Sequence, residues 1–367
     1  MTARVRLFFD ARYIRTDFHD GISRYSRELA HALAPAAAAD GVELVFLIHD
    51  TAQIAHLPAD AVHLRIHAPT SAKEPFTPLV LNRYDPDVVF SPLQTMGSRG
   101  RRYRLILTLH DMIYYRHRTP PRSLSLGVRA LWRLFHLSYV PQRITLDGAD
   151  LVATVSETSK RQFEAVRLTK RPIVVVPNAP QRLADLLPDG AAEAGGRPRN
   201  IVYMGSFMGY KNVETLVRAM GLLPGRTLHL LSRISPARRD ELGALAPAGA
   251  RIVFHDGVTD AEYARLLADD AVLASTSLDE GYGLPLAEAL ALGVPAVVSE
   301  MEIFHEVAGR GALYVDPLDP AAVADAVRAL DDNATRAAII AAGTAHIARF
   351  RWDTSARILL DAVRSLA

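Results

Sequence analysis

Cysteine is missing altogether from these 367 residues. That excludes disulfides, thiolate nucleophiles and cysteine metal sites, and it suits a cytoplasmic setting. Long apolar runs are missing too, since none approaches the ~20 residues that span a bilayer. The stretch from Met1 to Asp10 carries only a short apolar run and reads as a strand, not a signal peptide. Acid is scarce in one region: between Arg99 and Arg143 ten arginines face a single carboxylate, Asp111. The net charge of +2 conceals a split, +8 over residues 1–178 and −6 over the remainder. A basic half suits an anionic partner such as phospholipid, a lipid-linked phosphate or an acidic glycan; the alternative is simply an Arg-rich, Ala-rich composition with solvated faces. Nucleic acid is not an expected partner. What remains is ordinary for a globular protein: 49% hydrophobic and 22% charged residues, in a chain long enough for two cores.

Short apolar runs alternate with helical spacing along the whole chain. Strands are expected at 5–9, 42–48, 87–91, 105–109, 150–154 and 172–177. The pattern restarts at 201–204 and continues at 228–231, 251–254, 271–274 and 295–298. The Gly-, Ala- and Pro-rich stretch 186–200 reads as a linker. The organisation expected is an N-terminal domain over 1–185, rejoined by a terminal helix over 350–367, and a C-terminal domain over 195–349. Such alternation predicts an α/β fold with two mostly parallel sheets. Residues 123–146 are amphipathic and aromatic, with Trp132, Phe135 and Tyr139, and Arg116, Arg118, Arg122, Arg129 and Arg133 lie nearby. Core packing is the expectation for this stripe, with a membrane surface as the alternative. Asp85-Pro-Asp87 reads as a turn rather than a metal motif, and no metal site is expected.

The stretch 275–300 organises the rest. A buried strand ends there, Gly281 and Gly283 flank Tyr282, and Pro285 fits a first helical turn. An unpaired helix N-terminus attracts anions, so a diphosphate suits the position of Gly283 and Leu284. Glu280 and Glu288 are then placed to accept hydrogen bonds from neutral hydroxyls on either side. The alternative is a solvated helix start with two ordinary acids.

The run S-L-x-E-G-Y-G-L-P-x-x-E-A-L-A-x-G-x-P-A-V resembles the E-x(7)-E signature of the retaining family-4 glycosyltransferases, which have the GT-B fold. The resemblance implies two Rossmann-like domains with a cleft between them and a nucleotide diphosphate sugar as donor substrate, with no cofactor and no metal. It implies that Glu280 meets the donor sugar and Glu288 the nucleotide ribose. Y-M-G-S-F-M-G-Y-K-N resembles the family's diphosphate loop, which gives Lys211 the phosphate-binding role. Ser206 stands where the family often has arginine, and Arg233 is the candidate substitute. Val258 lies in the loop expected to hold the nucleobase. In the N-terminal half, D-A-R followed by G-I-S-R-Y resembles the family's opening, with Gly21 near the donor and Arg24 toward the acceptor. T-L-H-D-M-I resembles the segment whose histidine lies beside the donor sugar. His110 takes that place, with Asp111 toward the acceptor. Asn178 follows the last strand of the first half, at the expected hinge. These features imply mannose transfer from GDP-mannose to an acceptor hydroxyl in cell-surface polysaccharide or glycolipid assembly. The alternatives are UDP-glucose or dTDP-rhamnose as donor, a nucleotide-sugar epimerase of the same fold, or a non-catalytic partner subunit. The expected location is the cytoplasm or the inner face of the membrane.

Overall fold

Among the described residues thirteen short strands account for both sheets, and all their pairings are parallel. The computed structural model describes residues 4–17, 20–120, 125–188 and 197–367. The chain divides into two compact units, Met1–Asn178 with Phe350–Ala367, and Ala179–Arg349. The division falls before the stretch expected as a linker. The short helix Leu183–Leu186 packs on the helix Asp260–Ala268 and so belongs to the second unit. Residues 189–196 of that expected linker, and Arg122 with the first two residues of the amphipathic segment, Ser123 and Leu124, lie outside the described residues.

The N-terminal unit contains β1 (Arg6–Asp10), β2 (Glu43–Ile48), β3 (His63–Arg65), β4 (Val88–Ser91), β5 (Arg104–Thr108), β6 (Leu151–Thr154) and β7 (Ile173–Val175). Their order is β3-β2-β1-β4-β5-β6-β7. The central strands are apolar on both faces because helices cover both, so they read as continuous rather than alternating runs. Phe9 shows the result: its ring sits 5.6 Å from Phe46 and 5.2 Å from Phe90, the residues paired with it on β2 and β4. The terminal helix Trp352–Leu366 packs on the helix Gly21–Ala39, and Arg357 and Arg364 both pair with Asp40.

The C-terminal unit contains β8 (Asn200–Tyr203), β9 (Thr227–Leu230), β10 (Arg251–Phe254), β11 (Ala271–Ser275), β12 (Ala296–Ser299) and β13 (Leu313–Val315). Their order is β10-β9-β8-β11-β12-β13. Chain direction along the sheet reverses between β1 and β4 in one unit and between β8 and β11 in the other. In open parallel sheets ligands bind beyond the carboxyl ends of the strands at such switch points. Each unit therefore has one preferred place for a site.

One expectation needs correction. The amphipathic segment is core only at its far end: Leu146 is fully buried with Tyr139 packed against its cluster, but the helix Leu126–Phe135 has no buried residue. Its aromatic side is half covered, with Trp132 5.1 Å from Tyr114, while Leu131 and Leu134 stand 66% and 64% exposed. The D-A-R motif is held by the unit's own side chains. Arg12 donates from Nε and Nη2 to Asp10 at 2.7 and 2.9 Å, and from Nη1 and Nη2 to Glu74 at 2.8 Å each. Its side chain is fully buried, and Asp10 and Glu74 both stand in the clamp. Gln53 Nε2 donates to the carbonyls of Ala11, Arg12 and Ile14. This clamp fixes the loop that leaves β1.

Candidate active site

In the C-terminal unit two loops meet at the β8–β11 switch point. One follows β8 and runs to the short turn Gly209–Lys211; the other follows β11 and runs to Gly283. Asn212 ties them together. It sits at φ +48°, in the left-handed region that asparagine enters more readily than most residues. Its Nδ2 donates to the carbonyls of Thr276 at 3.1 Å and Pro317 at 2.6 Å, and Thr276 Oγ1 donates back to its carbonyl at 2.8 Å. The Leu278 amide donates to the Tyr210 carbonyl at 2.7 Å.

That stitching sets Lys211 Nζ 2.6 Å from Glu280 Oε1. The same carboxylate oxygen accepts from Ser277 Oγ at 2.8 Å. The two side chains keep 14% and 12% of their surface exposed, so the pair is largely desolvated but open at one edge. A cation and a carboxylate held this way can each exchange partner when an anion and a hydroxyl arrive together.

Past Glu280, the buried Tyr282 anchors the loop, and burial pushes its hydroxyl far above the usual phenol range. Gly283 then begins the helix Leu284–Ala291 at φ +90°, with no side-chain cap on that helix end. A Cβ there would fall 2.7 Å from Phe304 Cε1, so the position admits glycine alone. Pro285 stands at the start of the helix, as its fixed φ allows. Glu288 lies in the second turn and is fully buried.

The remaining candidates of this unit spread around the same sheet end. Ser206 is exposed, and its carbonyl accepts from Tyr203 OH at 2.7 Å. Burial and the Glu280 carboxylate both push the Tyr203 hydroxyl upward, so it stays neutral. Arg233 is exposed beyond β9, against Gly257, where an added Cβ would lie 3.1 Å from Arg233 Cγ. Val258 follows, half-buried. The structure thus joins Arg233 to the Val258 loop and Lys211 to the Glu280 loop.

In the N-terminal unit His110 follows β5, one strand beyond the switch point. Its Nε2 lies 2.8 Å from the Pro92 carbonyl. A carbonyl only accepts, so Nε2 carries the proton and Nδ1 of the neutral ring is the acceptor. Tyr25 packs edge-on at 5.1 Å, and Ser159 Oγ donates to the His110 carbonyl at 2.9 Å. Burial holds the imidazole below its ordinary value, against a smaller opposing pull from the Pro92 bond and Asp20. Asp111 Oδ1 accepts from the Ile113 amide at 2.9 Å, which shapes the turn after the strand. Gly21 opens the first long helix at an exposed position, and the Arg24 amide donates to the Asp20 carbonyl at 2.9 Å. Asp20 caps that helix through the Ser23 amide.

Three groups that shape these sites escaped the sequence reading. Asn212 and Ser277 have no charge and sit in ordinary loop sequence, and only the left-handed preference of asparagine hints at the first. Glu74 lies in a loop-rich stretch far from its partner Arg12.

Two family models match consecutive parts of the chain: residues 19–179 match Glycosyltransferase Family 4, and residues 198–333 match Glycosyl transferases group 1. The chain belongs to these glycosyltransferases, and its fold is GT-B. Among proteins it resembles is O-antigen chain mannosyltransferase B of Escherichia coli, 29% identical over 72% of this chain and 71% of that one. Sucrose-phosphate synthase from Thermosynechococcus elongatus superposes with a TM-score of 0.75 over 99% of each chain, at 20% identity. The Anabaena protein HepE in complex with UDP-glucose superposes with a TM-score of 0.71 over 99% of this chain and 100% of that one, at 15% identity.

Proposed function

We propose that this glycosyltransferase moves mannose from GDP-mannose to an acceptor hydroxyl, with retention of anomeric configuration, in the assembly of a polysaccharide or glycolipid. The Lys211–Glu280 pair at the β8–β11 switch point carries the reading. A diphosphate competes with Glu280 for Lys211, and the released carboxylate turns to a sugar hydroxyl. As the bond from the anomeric carbon to the diphosphate breaks, negative charge grows on the leaving group. Lys211 and the positive end of the helix Leu284–Ala291 are fixed donors for that charge, which makes the stabilisation one of preorganisation. Glu288 is assigned to the ribose. Ser206, Arg233, Val258, Gly281, Tyr282, Gly283 and Leu284 complete the donor surface in this reading. In the N-terminal unit His110 positions a substrate hydroxyl through Nδ1, with Gly21, Arg24 and Asp111 toward donor and acceptor. The choice of mannose is supported by the O-antigen mannosyltransferase relative, and the choice of a nucleotide donor by the UDP-glucose complex of the structural relative.

The test is a donor panel with product analysis. GDP-mannose, UDP-glucose and dTDP-rhamnose are each incubated with the protein and a mixture of glycan and lipid-linked acceptors. Nucleotide release and the anomeric proton coupling of the product are then read. GDP release with an α-linked mannosyl product is expected. Release from UDP-glucose or dTDP-rhamnose alone overturns the mannose assignment, and an inverted product overturns retention.

A further inference from the structure

We propose that the segment from Leu126 to Ile144 is a docking surface for an anionic lipid bilayer. Two helices build it, Leu126–Phe135 and Val140–Asp147. Trp132 and His136 lie 4.1 Å apart, tilted by 31°, and turn toward Tyr114 and Tyr115, which fastens this side of the first helix to its unit. On the other side Leu126 is 81% exposed, and Leu131 and Leu134 follow it. Val140 and Ile144 extend the apolar surface along the second helix, at 54% and 65% exposure. Scattered exposed leucines need no explanation, but a helix that leaves three leucines bare along one side does.

Charge selects the occupant. From residue 112 to 146 the sequence holds no aspartate or glutamate and six arginines. Arg133 is exposed on the first helix, and Arg143 joins Arg167, Lys170 and one acid, Asp147, around a pocket beside the second. Leucines between arginines, with guanidinium groups at the level of lipid headgroups, are the pattern of a helix lying in an anionic interface. A second copy of the chain is a poor occupant, because two-fold pairing sets the same arginine-rich surface against itself, and the single acid of the two helices, Asp147, already accepts from Thr169 and Lys170. The helices are too short and too amphipathic to span a bilayer, and among the described residues no helix is long and apolar enough to cross a membrane.

The experiment is co-sedimentation of the full chain with phosphatidylcholine vesicles, with and without about one third phosphatidylglycerol. Wild type binds the anionic vesicles and leaves the neutral ones in solution. Raising salt from about 0.1 to about 0.5 M, where the screening length falls to about 4 Å, weakens binding several-fold. Leu131→Ser with Leu134→Ser lowers the partition coefficient at least about tenfold and leaves the melting temperature unchanged, since both side chains are exposed. The pair Leu126→Ser and Ile144→Ser does the same at the two ends of the surface. Absence of binding, equal binding to both vesicle types, or wild-type binding by both leucine variants overturns the proposal. So does light scattering that finds a dimer in wild type and a monomer in the leucine variants, which assigns the surface to self-association.

Discussion

Lys211 Nζ stands 2.6 Å from Glu280 Oε1, although 69 residues separate the two in the chain. The pair is preformed by loops that meet only because β8 and β11 are neighbours at the point where the sheet reverses direction. In the proposed reading a diphosphate entering here replaces an existing interaction, which would couple binding and stability through the same two side chains.

Glu280→Gln should separate those roles. Glutamine keeps an oxygen for Ser277 Oγ but no longer holds Lys211 electrostatically. GDP is expected to bind as tightly as to wild type, or up to about tenfold tighter, while mannose transfer falls at least about a hundredfold. Calorimetric titration beside a turnover assay checks both halves, and weaker GDP binding with full turnover refutes the assignment.

Lys211→Ala leaves Glu280 largely buried with only Ser277 for company. Removing one member of a buried pair typically costs about 3–5 kcal/mol, and the residual exposure here places the loss at the lower end. Thermal unfolding should show a lower melting temperature for the C-terminal unit, and the double change with Glu280→Gln should recover part of it.

Arg12→Lys is expected to fail as a conservative change. Arg12 makes forked contacts to both Asp10 and Glu74 in a fully buried setting, and an ammonium cannot reproduce that geometry. Destabilisation of about 3 kcal/mol follows for the N-terminal unit, measured by denaturant unfolding. A change below about 1 kcal/mol contradicts the clamp.

The sequence displayed most of the strands and the glycine–proline helix start plainly, because continuous apolar runs and backbone-restricted residues act locally; β3, three residues with two of them exposed, has no apolar run and was missed. Gly283 and Pro285 say what they do wherever they are read. The Lys211–Glu280 pairing was not legible, since each residue was visible but their contact depends on strand order. The burial of Arg12 was not legible either, since it needs Glu74 from a distant turn. The helix Leu126–Phe135 showed its two faces clearly. Periodicity gives the faces, but a tertiary partner decides which one is covered, and here the aromatic face is half covered while the leucine face is bare.

Gly283→Ala tests the helix start. Its φ of +90° disfavours any Cβ, and this one would meet Phe304 at 2.7 Å. A loss of about 1–3 kcal/mol is expected, with weaker GDP binding as the helix end shifts. Unchanged melting and binding argue against a close-packed turn.

Acid should destabilise the N-terminal unit through His110. Its folded-state pKa lies below the ordinary value of 6.5, so the unfolded chain takes up the proton first. The contribution is complete above about pH 6.5 and is lost as pH falls from there toward the lower folded value. A melting-temperature profile from about pH 5 to 8 should fall less steeply at its acid end for His110→Asn than for wild type. Parallel profiles remove His110 from the account.

The central claim is that Lys211 binds a nucleoside diphosphate at the β8–β11 switch point. Calorimetric titration of GDP, UDP and dTDP into wild type and Lys211→Met measures it directly. GDP is expected to bind wild type most tightly and to lose at least about tenfold in the variant, provided the variant melts above the assay temperature. Equal GDP affinity in the two proteins, or no nucleotide bound by wild type, contradicts it.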